Sequence, residues 1–180
     1  MIAYDLIGQT PSVLLENFSD ENVKIYAKLE QFNPGGSIKD RLGKYLIEKA
    51  IDEGRLKEGD TIVEATAGNT GIGLAIASNR HKVKCIIFAP EGFAEEKISI
   101  MKALGADVRR TPKAEGMTGA QQEALAYATR YGYLYMNQFE TKDNPGAYTQ
   151  TLAKQLTDEL SHIDYFVAGV GSGGTFTGVA

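Results

Sequence analysis

The stretch Thr61-Ile-Val-Glu-Ala-Thr-Ala-Gly-Asn-Thr-Gly-Ile-Gly73 decides how the rest of the chain is read. Its first five residues form an apolar, β-branched run and predict a strand over Thr61–Ala65. A glycine-rich loop follows, and a helical pattern runs from Thr70 to Arg80. Strand, loop and helix in that order form the unit of an open α/β sheet, whose ligands lie beyond the carboxyl ends of the strands. In this loop the backbone amides, the hydroxyls of Thr66 and Thr70 and the amide of Asn69 converge on a helix N-terminus. Such a site suits a carboxylate or a phosphate. A glycine turn with Asn69 as a simple cap explains the same residues. The glycines run G-x-x-G-x-G, the wrong order for a dinucleotide fingerprint.

The same alternation continues outward. Further strands are expected at Ser12–Leu15, Val23–Leu29, Val83–Ala89, Asp107–Arg109, Leu134–Met136 and Tyr165–Val170. Several are apolar nearly throughout, as in strands covered on both faces. Helices are expected at Ile38–Glu53, Glu95–Leu104, Thr118–Tyr131 and Pro145–Leu160. The first carries Ile38, Leu42, Tyr45, Leu46 and Ile51 at helical spacing and ends at Gly54. The prediction is a mostly parallel α/β sheet. The chain stops at Ala180, about one helical turn after a glycine-rich loop that should open a helix, which reads as truncation of a larger sheet.

A chain of 180 residues, 43% hydrophobic, can bury a substantial core in one or two domains. A net charge of −4 with mixed signs offers no basic stripe, so no nucleic-acid partner is expected. Met-Ile-Ala-Tyr-Asp lacks the cationic and apolar regions of a signal peptide, and no apolar run is long enough to cross a membrane. The lone Cys85 excludes an intramolecular disulfide framework and a cysteine metal cluster, and is read as a buried apolar residue. His81 follows Arg80 at a helix C-terminus and His162 lies in a polar turn, so no metal site is expected. These features predict a soluble, cytoplasmic protein.

Two further loops carry chemistry. In Asn33-Pro-Gly-Gly-Ser-Ile-Lys39-Asp-Arg41, Ser37 and Asp40 have the spacing of a capping box. Lys39 falls in the first helical turn, where the helix dipole disfavours a cation and so favours the free amine that an imine requires. This loop alone leaves a Schiff-base lysine and a solvated lysine at a helix end both open. Gly169-Val-Gly-Ser-Gly-Gly-Thr175 offers a nest of N–H donors with the hydroxyls of Ser172 and Thr175, suited to a phosphate dianion. It also matches G-x-G-x-x-G formally, which is a weak signal alone.

Taken in order, Gly8-Gln-Thr-Pro11, Asn33–Arg41, Thr66-Ala-Gly-Asn-Thr-Gly71, Asn137-Gln-Phe139 and Gly171-Ser-Gly-Gly-Thr175 span nearly the whole chain. Together they resemble the cysteine synthase/cystathionine β-synthase family of fold type II pyridoxal-phosphate enzymes. The resemblance implies a two-domain architecture of three-layer, open, mostly parallel sheets with the second domain incomplete. Residues 1–35 would belong to the larger domain, 36–150 would form the smaller α/β domain, and 151–180 would begin the larger, cofactor-binding one. It implies pyridoxal 5′-phosphate as cofactor, with Lys39 forming the Schiff base and shuttling the substrate's α-proton. Asn69 would bond the cofactor's phenolic oxygen, and Gly171, Ser172, Gly173, Gly174 and Thr175 would hold its phosphate. Thr66, Gly68, Thr70 and Gln138 would bind the substrate carboxylate.

The implied reaction is β-replacement on O-acetylserine or serine with a thiol, giving cysteine or cystathionine. The complete protein is expected to be a homodimer taking a small amino acid and a thiol. Departures from the cysteine synthases include Gln9, Ser12, Ala67 in place of a serine, and Pro90–Lys97 where many relatives carry methionine-serine. Ala67 and Gly92-Phe93 look closer to the bacterial O-acetylserine-dependent cystathionine β-synthases. Ala67 would remove a hydroxyl from the carboxylate loop and leaves homocysteine open beside sulfide. The rival readings are a serine or threonine dehydratase of the same fold, a nicotinamide-dependent oxidoreductase using Gly169–Gly174, and an inactive fragment.

Overall fold

The computed structural model describes residues 2–93 and 95–180; Met1 and Ala94, the latter inside the Pro90–Lys97 segment, lie outside it. The chain opens with an antiparallel ribbon of β1 (Ser12–Leu14) and β2 (Tyr26–Lys28), in which Val13 faces Ala27. After α1 (Lys39–Asp52) come β3 (Thr61–Ala65), α2 (Asn69–Arg80), β4 (Lys84–Pro90), α3 (Glu95–Ala103), β5 (Asp107–Thr111), α4 (Gly116–Tyr131) and β6 (Leu134–Tyr135). The helices α5 (Asp143–Tyr148), α6 (Lys154–Glu159) and α7 (Gly174–Val179) follow. Strands β3 to β6 form one parallel sheet in the order β5-β4-β3-β6.

Alternation along the central strands sorts their side chains into two cores. Ile62 of β3 and Cys85, Ile87 and Ala89 of β4 point to one face, where they meet Leu42 and Ile47 of α1, Leu74 and Ala75 of α2, and Ile98 and Met101 of α3. Val63, Ala65, Ile86 and Phe88 point to the other, under α4. Because Val63 pairs with Ile86 and Ala65 with Phe88, each core receives whole rows of side chains. Helix α4 meets its row with Ala120, Ala124 and Ala128, small residues at four-residue spacing that let the helix lie close on the sheet. It ends at Gly132, whose left-handed φ of 67° lets its N–H close on Ala128. Both faces of the sheet are therefore covered, which gives the three layers the apolar strands imply.

Several expectations need correcting. Tyr165–Val170 forms no strand: among the described residues it has no ladder partner, and Tyr165 and Val167 stand 89% and 91% exposed. An extended apolar run becomes a strand only where another strand supplies its hydrogen bonds. The helix expected over Pro145–Leu160 begins earlier, at Asp143, and widens into a π turn over Thr149–Ala153. The strand expected over Val23–Leu29 narrows to Tyr26–Lys28. The capping box is also absent. Gly36, at φ 78°, turns the loop so that the Asp40 carboxylate accepts from the N–H of Gly35, while Ser37 Oγ accepts from Lys39 N–H at 3.2 Å.

Candidate active site

A cavity of about 370 Å³ opens beyond the carboxyl ends of β3 and β6. The start of α1 supplies Lys39, with Ile38 just before it, the β3–α2 loop supplies Thr66 and Gly68, and the first turn of α2 supplies Asn69 and Thr70. Gln138 and Phe139 enter after β6, and Gly169 and Gly171 to Thr175 close the remaining side. Every residue singled out from the sequence for cofactor or substrate thus lines one cavity. What sets α1 against α2 is a crossing of two glycines. A Cβ on Gly43 would run into the backbone of Gly73, and one on Gly73 into the carbonyl of Lys39. With no side chains between them, the two backbones touch. The first turns of both helices, with Lys39 on one and Asn69 and Thr70 on the other, therefore face the same space.

Lys39 Nζ donates to Tyr148 Oη at 3.0 Å and lies 5.4 Å from the centre of that ring. Tyr148 itself is fully buried. Four residues earlier on α5, Asn144 Nδ2 donates to the carbonyl of Gln138 at 2.7 Å and to Ser172 Oγ at 3.1 Å. One helix face therefore touches the lysine, the Gln138 segment and the glycine loop. Helix α7 docks on that face through Gly174 and Gly178. A Cβ on Gly174 would strike the Asn144 amide, and one on Gly178 the Pro145 carbonyl.

Below the cavity, Glu64 is wholly buried at the end of β3. Its two oxygens accept from the N–H groups of Ala65, at 2.7 Å, and Gln138, at 3.0 Å. Burial pushes this carboxyl up to about 7, while the two N–H donors pull in the opposite direction. The side chain of Gln138 then accepts from Thr70 Oγ1 at 2.7 Å, so Gln138 is held at its backbone by Glu64 and at its amide by α2. Ala67 is placed otherwise than expected. It lies 5% exposed within the apolar core and does not line the cavity, so the hydroxyl it lacks is missing from the core side of the loop.

Sequence reasoning missed Tyr148, Asn144 and Glu64. The four-residue spacing of Asn144 and Tyr148 was a readable signal that both share a helix face. The role of Glu64 had none, because a lone carboxylate in an apolar strand does not reveal which N–H groups it meets.

The pattern that defines the family described as "Pyridoxal-phosphate dependent enzyme" matches residues 3–180. The chain belongs to that family. It is 50% identical over 179 residues to the O-acetylserine dependent cystathionine beta-synthase of Bacillus subtilis, covering 98% of this chain and 58% of the relative. A cysteine synthase of Helicobacter pylori is 49% identical over 182 residues, covering 98% and 59%. The crystal structure of an O-acetylserine dependent cystathionine beta-synthase from Helicobacter pylori superposes with a TM-score of 0.92 at 47% identity, covering all of this chain and 61% of that one. An O-ureido-L-serine synthase superposes at 0.91 with 37% identity, covering 98% and 57%. The chain spans about 58% of the length of the curated relatives it matches. Membership in the pyridoxal-phosphate dependent enzymes overturns the nicotinamide reading of Gly169–Gly174.

The residues present fit the family's cofactor. An aldehyde needs a primary amine, and Lys39 Nζ lies at the cavity wall. A phosphate needs convergent donors with room to approach. Gly171 and Gly173 have nothing within 4 Å where a Cβ would stand, and Gly173 adopts a φ of 80° that side chains disfavour. No group of three or more His, Cys, Asp or Glu residues able to hold a metal ion occurs among the described residues.

Proposed function

We propose that the whole protein carries out pyridoxal-phosphate-dependent β-replacement on O-acetylserine or serine with a thiol. The product is cysteine with sulfide and cystathionine with homocysteine, in sulfur amino-acid biosynthesis. The observation that carries this reading is the meeting of Lys39, the Thr66–Thr70 loop and the Gly171–Thr175 loop in one cavity. When bound, pyridoxal phosphate supplies an electron sink for the substrate's α-carbon. Lys39 anchors it covalently and moves the α-proton. The amides of Gly171, Gly173 and Gly174, with Ser172 and Thr175, hold its phosphate, and Asn69 bonds its phenolic oxygen. Thr66, Gly68, Thr70 and Gln138 hold the amino-acid carboxylate, and the bonds from Glu64 and Thr70 to Gln138 support its orientation.

The same reading assigns residues 1–35 and 151–180 to the larger domain and 36–150 to the smaller. The ribbon β1–β2, a sheet apart from the parallel one, supports it. A homodimer in the cytoplasm completes the reading and rests on the family resemblance.

Borohydride reduction of the cofactor-loaded whole protein, followed by peptide mapping, is expected to label Lys39. Label on Lys44 or Lys49 would refute the assignment. Incubation with O-acetylserine and either thiol is expected to give cysteine or cystathionine; a 2-oxo acid released with ammonia would favour the dehydratase.

A further inference from the structure

Tyr148 has no exposed surface and lies behind the residues that line the cavity, yet its hydroxyl meets the cavity lysine. Among the described residues that hydroxyl has one hydrogen-bond partner, Lys39 Nζ at 3.0 Å. A phenol can accept from an ammonium group and can donate to an amine, so the pair remains matched in either charge state of the lysine. The ring below Nζ adds a favourable face for the ammonium form.

The position of Tyr148 is itself fixed. It is the last residue of α5, immediately before the π turn of Thr149–Ala153, and Gly178 of α7 packs on its Cβ. Thr149 Oγ1 donates to the Gly178 carbonyl at 2.8 Å, tying the turn to α7. A widened turn in a helix wall is a common device at functional sites. Here it ends the regular helix at the residue that, among the described residues, bonds the amine of Lys39.

We infer that Tyr148 is a positioning residue that holds the amine of Lys39 at the cavity wall whenever it is not bonded to the cofactor. This rests on the assignment of Lys39 as the anchoring lysine. During capture, Lys39 Nζ adds to the aldehyde carbon, a C=N bond forms, and both amine hydrogens leave with the aldehyde oxygen as water. An amine already held at the wall starts that step from a single place, whereas a four-carbon stem without a partner samples many. The same station receives the amine each time the substrate displaces it.

The test uses the whole protein freed of cofactor and its Tyr148→Phe variant, which loses one oxygen and keeps the ring. Two rates or affinities are measured on each. One is the appearance of the visible absorbance band on mixing with pyridoxal phosphate. The other is equilibrium binding of pyridoxine 5′-phosphate, which has the ring and phosphate but no aldehyde. Tyr148→Phe is expected to slow capture about fivefold or more, the worth of one hydrogen bond. Pyridoxine 5′-phosphate affinity should stay within about twofold. Tyr148→His, which keeps a ring atom able to hydrogen-bond, should recover part of the rate. An unchanged capture rate would overturn the inference. So would an equal loss of pyridoxine 5′-phosphate binding or failure of the His variant to outpace Phe, either of which would make Tyr148 a packing residue. Borohydride mapping on the same samples separates the two ideas. Label away from Lys39 would sink the anchoring assignment, while label on Lys39 with an unslowed variant would sink only the role of Tyr148.

Discussion

Glu64 is a carboxylate placed where no water reaches it, held by two backbone N–H groups and raised to about 7. Between its ordinary 4.5 and about 7 the unfolded chain has released this proton while the folded chain retains it. The unfolded state then binds fewer protons, so this residue makes stability fall as pH rises across that window and leaves it level above. The effect amounts to a few kcal/mol at most. Glu64→Gln is expected to flatten the dependence between those pH values in urea melts of the whole protein. It also sets an amide NH₂ against one of two backbone donors, because both oxygens are in use, and Gln138 would lose its anchor in at least part of the population. Substrate affinity should therefore weaken severalfold even where stability is unchanged. Lys39 makes the simpler prediction. Lys39→Ala should abolish the visible cofactor band and leave the melting temperature within a few degrees, since the side chain contributes one partly exposed hydrogen bond to the fold.

At the scale of elements, the site depends on helices that approach closer than side chains would allow. Gly43→Ala would drive a methyl into the backbone of Gly73, and neither helix can yield without moving Lys39 or Asn69. The expected cost is about 3 kcal/mol or more, read as a shift of the urea midpoint with unchanged slope. Loss of cofactor binding should accompany it. Gly174→Ala tests the opposite wall. Its Cβ would meet the Asn144 amide, which also bonds Gln138 and Ser172, so the phosphate loop should separate from α5. Pyridoxine 5′-phosphate affinity is expected to fall at least tenfold while far-UV circular dichroism stays the same. Gly36→Ala, at a positive φ with open space around it, should cost only the backbone strain of about 1 kcal/mol.

At the scale of the molecule, two regions stand apart from the parallel sheet. The ribbon β1–β2 is fastened to the rest by polar contacts. Arg41, almost fully buried, donates to Glu30, Thr10, the Gly8 carbonyl and Gln155, and Lys28 pairs with Glu159 at 2.8 Å. The segment Tyr165–Val170 carries apolar side chains into solvent. The proposed division into domains predicts that in the whole protein amide exchange over residues 165–170 slows by orders of magnitude, because further chain would pair with it. In the 180-residue chain alone the same amides should exchange freely, and pyridoxal phosphate should bind more weakly. Equal exchange in both would remove residues 165–170 from any sheet.

Local pattern determined much of this protein. Continuous apolar runs located β3 and β4, because burial on both faces of a parallel sheet demands them, and helical spacing located α1, α2 and α4. Glycines beside hydroxyls and amides marked the three loops, since only such loops bring a backbone up to an anion. Tertiary structure decided the rest. That Asp40 turns to Gly35, that Ala67 faces the core and that Tyr165–Val170 has no partner all depend on which neighbour is present in space. The Tyr148–Lys39 bond joins residues 109 positions apart, and the Gln138–Glu64 bond residues 74 apart. Hydrogen bonds and close backbone approach act over a few ångströms. A sequence can state which residues are capable of them, and only the folded chain selects the pairs.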